Sequence, residues 1–269
     1  MKRYFDKANK RLVYVGEAAN DAYWDRHWLS QSPRSYRQPR NRGGGLVVGN
    51  TRKYLPAGAR ILEGGCGQAT NVHALHYSGY DTYGVDFAKK TVEAVNKCAP
   101  ELKVTLGDVR NLPFEDGFFD GYWSLGVIEH FYEGYDPVLS EAYRVLTDNG
   151  HLFVTVPVMS VLRKHKARLS MYAEYEESQQ TRNCFYQFAF DHRCVIEDLE
   201  SKGFKLVDFK RWGGVKGLKD EVSLLKPCLQ YMYDKNSRCA NLTKKMLNLF
   251  LNAFTNHMGL FIVRKAGTG

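Results

Sequence analysis

The 269-residue sequence predicts an α/β protein built on a doubly wound parallel sheet. Three observations predict it. From Leu46 onward, strand-like and helix-like stretches alternate through five cycles, the pattern of parallel strands joined by crossover helices. Gly64-Gly65-Cys66-Gly67 directly follows the first of those strands, where such a sheet turns into its first helix. Acidic residues recur at or just past the ends of the next two strands, Asp86 and Asp108.

The elements follow in order. Residues 1–45 read as a separate N-terminal segment. It holds a short helix or two bearing Tyr23, Trp24 and Trp28, then a basic loop with Arg34, Arg37, Arg40 and Arg42 before a Gly43-Gly44-Gly45 hinge. Residues 46–269 read as the main domain. Its strands are predicted at 60–63, 82–86, 103–106, 118–124 and 151–156. Helices are predicted at 68–79, closed by Gly79, and at 89–98. A third, at 136–146, opens on Asp136-Pro137, a cap followed by proline in the first turn. Residues 158–190 read as a cap insert after the fifth strand, helical over 161–175 and a polar loop over 176–187. A helix over 191–202 ends before Gly203. Strand 204–209, the glycine-rich 213–217, helix 241–254 and strand 260–264 complete the chain.

Composition removes several classes. Hydrophobic residues at 44% and charged residues at 25% exclude global disorder and coiled coil. No uninterrupted apolar run reaches the roughly 20 residues of a membrane-spanning helix, and the first residues lack a signal-peptide core. Six cysteines at 66, 98, 184, 194, 228 and 239 form no CxxC pair and read as reduced thiols of a cytoplasmic protein. The net charge of +9 favours an anionic partner: nucleic acid, a phosphorylated metabolite or a membrane surface.

The glycine turn is where a ligand is expected, outside the carboxyl ends of the strands. Gly65-Cys66-Gly67 begins like a dinucleotide fingerprint, yet Thr70 stands where a third small residue belongs. Glu63, just before the glycines, would repel a pyrophosphate and attract a cationic group. Asp86 lies 23 residues beyond Glu63, the distance of an acid that accepts from ribose hydroxyls. With Asp108, three carboxylates on one rim suit a positively charged nucleoside without phosphates, such as S-adenosylmethionine.

These residues carry a resemblance to the class I S-adenosylmethionine-dependent methyltransferases, on the branch with quinone, glycan and other small-molecule enzymes. The matching stretches are Ile61-Leu62-Glu63-Gly64-Gly65-Cys66-Gly67, Tyr83-Gly84-Val85-Asp86 and Gly107-Asp108-Val109-Arg110-Asn111-Leu112-Pro113-Phe114, then Phe119-Asp120, Ser124-Leu125-Gly126-Val127-Ile128-Glu129-His130 and Glu141-Ala142-Tyr143-Arg144-Val145-Leu146. The resemblance implies a Rossmann-like seven-stranded sheet, mostly parallel with its last strand antiparallel, and S-adenosylmethionine as cofactor. It implies that Gly64, Gly65, Cys66 and Gly67 line the methionine part, with Glu63 near its amino group. Asp86 would hold the ribose diol and Phe87 would pack on the adenine. Asp108 and the Val109 N–H would meet the adenine edge, with Leu125 and Gly126 beside the methionine chain.

His130 is the candidate base for a hydroxyl acceptor, since an unperturbed imidazole titrates near 6.5; the competing reading gives it a structural or cofactor-lining duty. His73 and His76 lack a third ligand, so no metal is expected. The acceptor pocket is expected from residues 23–42 and 159–184, both rich in aromatics and arginines, which fits a small anionic or sugar-like acceptor. The basic helix around Arg163, Lys164, Lys166 and Arg168 also fits peripheral contact with an anionic membrane. Three other readings stay open. A nucleic-acid methyltransferase lacks its usual strand-four turn here, a nicotinamide oxidoreductase lacks the third glycine, and a non-catalytic S-adenosylmethionine-binding protein keeps the same cofactor residues.

Overall fold

The computed structural model describes residues 1–30, 45–234 and 237–267. The basic loop with Arg34, Arg37, Arg40 and Arg42 lies outside the described residues. The chain opens on an antiparallel hairpin, β1 (Lys2–Asp6) and β2 (Arg11–Val15), followed by α1 (Asp21–Leu29). The helical reading of the N-terminal segment therefore holds for α1 and fails for the residues before it. Leu12-Val13-Tyr14-Val15 is branched and aromatic, as strands prefer. Asp6 closes the hairpin by accepting from the Asn9 amide and from Arg11 Nε.

The main domain then runs α2 (Leu46–Tyr54), β3 (Arg60–Gly64), α3 (Thr70–His76), β4 (Asp81–Asp86), α4 (Lys89–Cys98), β5 (Lys103–Leu106), β6 (Phe119–Leu125), α5 (Asp136–Val145) and β7 (Leu146–Pro157). The insert holds α6 (Val161–Arg168), β8 (Ala173–Glu174), α7 (Gln179–Asn183) and β9 (Phe185–Ala189). The chain finishes with α8 (His192–Ser201), β10 (Phe204–Trp212), α9 (Gly214–Glu221), α10 (Lys226–Asp234), α11 (Arg238–Thr255) and β11 (Met258–Lys265).

Seven strands form the main sheet in the order β10-β11-β7-β6-β3-β4-β5. β11 is antiparallel to both neighbours, and every other pairing is parallel. This is the expected Rossmann-like sheet, with its last strand reversed. A second sheet, β8-β1-β2-β9, was not expected. The 158–190 insert joins this sheet, because β8 and β9 extend the N-terminal hairpin on both edges. The glycine-rich stretch 213–217 enters a helix, α9, rather than a loop. A Cβ on Gly217 would overlap the Thr255 carbonyl, so only glycine lets α9 lie this close to α11.

Register places the site. Gly64 pairs with Val85 and Ser124, Asp86 with Leu106, and Leu125 with Thr155. The carboxyl ends of β3, β4, β5, β6 and β7 therefore form one rim. Strand order reverses at β3, which pairs with β4 on one side and β6 on the other.

Candidate functional site

At that reversal a cleft of about 260 Å³ opens on the rim, near the lower end of small-ligand sites. Gly65, Asp86, Phe87, Asp108, Val109, Leu125, Gly126 and His130 line it. So do Trp24, Trp28, Gly107, Arg110, Val127 and Phe131, which the residue-by-residue expectations had not assigned to the cofactor site.

The turn after β3 is shaped by its backbone. Gly65 has φ +72, and a Cβ there would lie 2.5 Å from Val127 Cγ2, so a side chain would be strained and would fill the cleft edge. Asp86 fixes the turn from below. Its Oδ2 accepts from the Gly67 amide at 2.7 Å and its Oδ1 from the Ala88 amide at 2.9 Å. Burial pushes its pKa up, and these two amides pull against that shift. Next to it, Phe87 stands exposed on the cleft surface.

Four expected residues lie off the cleft wall. Glu63 is buried and accepts from Asn71 Nδ2 at 2.8 Å and the Val72 amide at 3.2 Å. It ties the strand end to α3, and burial lifts its pKa to about 8. Gly64 packs against Tyr122, and Cys66 lies in the core beside Val72 and Gly84. Gly67 is roofed by Trp28, whose ring would meet an added Cβ at 2.7 Å.

Trp28 belongs to α1, and α1 forms the upper wall of the cleft. Asp25 Oδ1 accepts from both the amide and the hydroxyl of Thr91, each at 3.0 Å, pinning α1 to the start of α4. Gln68 Nε2 donates to the Trp28 carbonyl at 2.7 Å. Trp24 and Trp28, four residues apart, share a helix face and stack at 5.8 Å. That spacing was the signal by which sequence alone could have placed both on the site. Among the described residues, none of 159–184 lines the cleft, and β9 of the insert touches the site at His130.

The contact from β9 is to His130, in a short 3₁₀ turn (Ile128–His130). Its Nδ1 lies 2.6 Å from the Tyr186 carbonyl. A carbonyl can only accept, so Nδ1 carries the proton and Nε2 the lone pair. Burial lowers its pKa to about 4, well below the value expected from sequence. The Trp24 ring meets the imidazole edge-on at 5.1 Å. Asp108 lines the cleft, and Arg110 bonds its carboxylate with Nε at 3.0 Å and Nη2 at 2.6 Å. Hydrogen bonding to Arg110 holds its pKa down.

Glu129, beside His130, is buried, and its Oε2 lacks a hydrogen-bond partner among the described residues. Burial raises its pKa to about 8. Glu63 and Glu129 together give stability a signed pH dependence. Their folded pKa values, about 8, exceed the ordinary 4.5, so at intermediate pH the folded chain retains protons the unfolded chain has released. Stability then falls as pH rises. His130 acts oppositely, but only below its ordinary 6.5. Unfolding free energy should therefore drop between pH 6.5 and pH 8, by up to roughly 1.4 kcal/mol per pH unit for each carboxyl. Denaturant titrations should show a shallower drop for Glu129→Gln.

With this geometry in place, comparison with known proteins shows what part of the chain is similar to. Residues 62–154, from β3 to β7, match the family described as Methyltransferase domain, Methyltransf_11. A protein of Mycolicibacterium smegmatis named "Probable S-adenosylmethionine-dependent methyltransferase" is 31% identical over 111 residues, covering 41% of this chain and 43% of that protein. Residues 62–154 are thus similar to a methyltransferase domain. The human "Probable tRNA methyltransferase 9B" is 31% identical over 143 residues, 48% of this chain and 31% of that protein. The matches thus span less than half of these relatives' own length. Among solved structures, the cyclase SpnF superposes with a TM-score of 0.57 at 16% identity, covering 95% of this chain and 98% of that one. That likeness shows the fold alone.

S-adenosylmethionine is the cofactor of such a methyltransferase domain. The cleft fits it in kind, with glycine backbone at Gly65, Gly107 and Gly126, a buried carboxylate at Asp86 and an exposed ring at Phe87. Among the described residues, no three His, Cys, Asp or Glu side chains gather to hold a metal ion.

Proposed function

We propose that this protein transfers a methyl group from S-adenosylmethionine to the amine or hydroxyl of a small acceptor, anionic or sugar-like in class. The observation that carries the reading is the rim cleft itself, where Asp86, Phe87 and the glycine turns meet under the Trp24 and Trp28 wall. When bound, the cofactor supplies an electrophilic methyl on a sulfonium. The chain's own contribution is alignment and exclusion of water, worth as much as ~7–11 kcal/mol. Asp86 would hold the ribose diol, Phe87 would pack on the adenine, and α1 would close over both.

Among the described cleft residues, His130 offers a neutral imidazole whose Nε2 can take a proton. With its pKa near 4 it is neutral at physiological pH but a weak base, poorly matched to an unactivated alcohol. A neutral amine, or a hydroxyl already acidic, needs less. Within the proposed class the reading therefore leans to acceptors that bring their own nucleophilicity. His130→Gln should lower turnover while leaving S-adenosylhomocysteine affinity within about twofold, a loss of 10²-fold or more marking a true base. Unchanged turnover would assign the ring to wall and tautomer duties only.

The function is tested by incubating the chain with S-adenosylmethionine and panels of amines, phenols, sugars and acids, following S-adenosylhomocysteine release. Release that depends on one acceptor class supports the reading. Tight cofactor binding with no release across the panel supports a non-catalytic binding protein. A nucleic-acid acceptor is the second reading, favoured by the human relative's name and by the +9 charge. Against it, Arg110 is the only Lys or Arg lining the cleft among the described residues, and it is paired with Asp108. Gel shifts across a salt series separate the two, since phosphate-driven binding weakens steeply with salt.

A further inference from the structure

Most amphipathic helices turn their apolar face to the core and their polar face to water. α11 does the reverse. Toward the protein it presents Asn248, Asn252 and Thr255. Asn252 Oδ1 accepts from the Gly214 amide at 2.8 Å and Asn248 Oδ1 from the Val215 amide at 2.9 Å, capping the start of α9. Thr255 Oγ1 donates to the Gly214 carbonyl at 2.9 Å. These bonds, with the close approach at Gly217, fix which way α11 faces.

The opposite face is apolar and open. Leu242, Met246, Leu249, Phe250 and Ala253 recur at helical spacing on it, with Phe254 at its border. Leu249 is 66% exposed, Phe250 72% and Phe254 63%. Val161, at the start of α6, shares a surface groove with Ala253 and extends the patch. A contiguous apolar face of this kind marks an interaction surface.

Charge identifies the occupant. Along α11 there is no Asp or Glu, against Arg238, Lys244 and Lys245. Lys245 stands exposed beside the stripe. A two-fold dimer through this face would set one helix that carries cations and no carboxylate against its copy. An anionic lipid surface offers both an apolar layer and negative headgroups. No helix among the described residues is long and apolar enough to cross a membrane, so the helix would lie on the bilayer.

We propose that the outward face of α11, around Leu249, Phe250 and Phe254, docks this protein on an anionic membrane surface. The membrane contact expected from α6 moves to α11. Arg163 and Lys166 of α6 are turned inward onto Glu221, and Lys164 pairs with Asp191. Position gives the contact a use. β10 ends and β11 begins on the carboxyl rim, at Trp212, Met258 and Pro157. α9 and α11 therefore sit at the same end of the sheet as the cleft, so a docked chain would carry the cleft at its membrane-proximal end. The docking inference stands independently of what reaction the cleft performs.

The test is co-flotation of the full chain with phosphatidylcholine vesicles and with vesicles that also contain phosphatidylserine. We expect capture by the phosphatidylserine vesicles, weakened by salt. Leu249→Ser with Phe250→Ser should weaken it about tenfold or more, and Lys245→Glu should weaken it less. Unchanged far-UV circular dichroism and S-adenosylhomocysteine affinity in these variants would show that fold and cleft are intact. Failure of the wild-type chain to float with either vesicle overturns the proposal. If light scattering then shows a dimer that Leu249→Ser with Phe250→Ser converts to monomer, the face is a self-association surface instead. Loss of cofactor binding with vesicle capture intact would count against the cleft, not against this face.

Discussion

Asp86→Ala is expected to weaken S-adenosylhomocysteine binding by roughly 10- to 100-fold, the worth of one or two charge-assisted hydrogen bonds. Two losses combine. The carboxylate proposed to accept from the ribose hydroxyls disappears, and the Gly67 and Ala88 amides lose their buried acceptor. The second loss loosens the glycine turn that forms the cleft floor. Asp86→Asn should fall between the two, because the amide oxygen serves one backbone donor while its NH₂ opposes the other. Calorimetry measures the affinities, and a thermal melt separates lost binding from lost folding. Wild-type affinity in Asp86→Ala would remove Asp86 from the cofactor site.

The largest stability effect is expected at Glu221, which does not line the cleft. Its carboxylate gathers Arg3 Nη1 at 2.6 Å, Arg163 Nε at 2.9 Å, Lys166 Nζ at 3.0 Å and Tyr172 Oη at 2.6 Å. It joins the hairpin, the insert and α9 at one point. Arg163 is 0% exposed and also donates to the Val158 carbonyl and to His257 Nδ1. Removing the carboxylate leaves a buried guanidinium without a counter-charge, so Glu221→Ala should cost about 3–5 kcal/mol. At this chain length that lowers Tm by roughly 6–20 °C. Arg163→Met in the same chain should recover part of the loss, since the uncompensated charge is then gone. Burial alone would raise the Glu221 pKa, but Arg163, Tyr172, Arg3 and Lys166 outweigh it and hold it low. The cluster's stabilisation is thus complete above the ordinary carboxylate range and fades as pH falls below it.

The main sheet was legible because its signals are local. Each strand of the alternating region carries a short apolar run, and turn glycines and caps punctuate the helices between them. The reversal of β11 was not carried by local pattern and entered only with the family resemblance. The second sheet was not legible, for a physical reason. β8 is two residues long, and β9 lies more than 160 residues from the strand β2 that it pairs with. Only the hairpin around Leu12-Val13-Tyr14-Val15 left a trace in sequence, and the aromatics that follow it drew the reading toward helix.

At the site, residue types were readable but burial and orientation were not. Asp86, Phe87 and Gly126 were expected on the rim and line the cleft. Glu63 was expected beside the ligand's amino group, and the sequence did not show that its carboxylate accepts from Asn71 and Val72 of α3. His130 was expected near its ordinary pKa, and only the packed Trp24 and Tyr186 rings reveal why it is not. Asp108 was expected at the adenine amino group, and the sequence did not show that its neighbour Arg110 bonds it.

The central claim is that the rim cleft binds S-adenosylmethionine. Thermal unfolding with S-adenosylhomocysteine, with NAD as control, tests it most directly. Ligand at a hundredfold over its dissociation constant adds about 2.7 kcal/mol to the folded state, a rise of roughly 5–10 °C for a chain of this size. That rise is expected with S-adenosylhomocysteine and none with NAD. No shift with S-adenosylhomocysteine, or an equal shift with NAD, would contradict it.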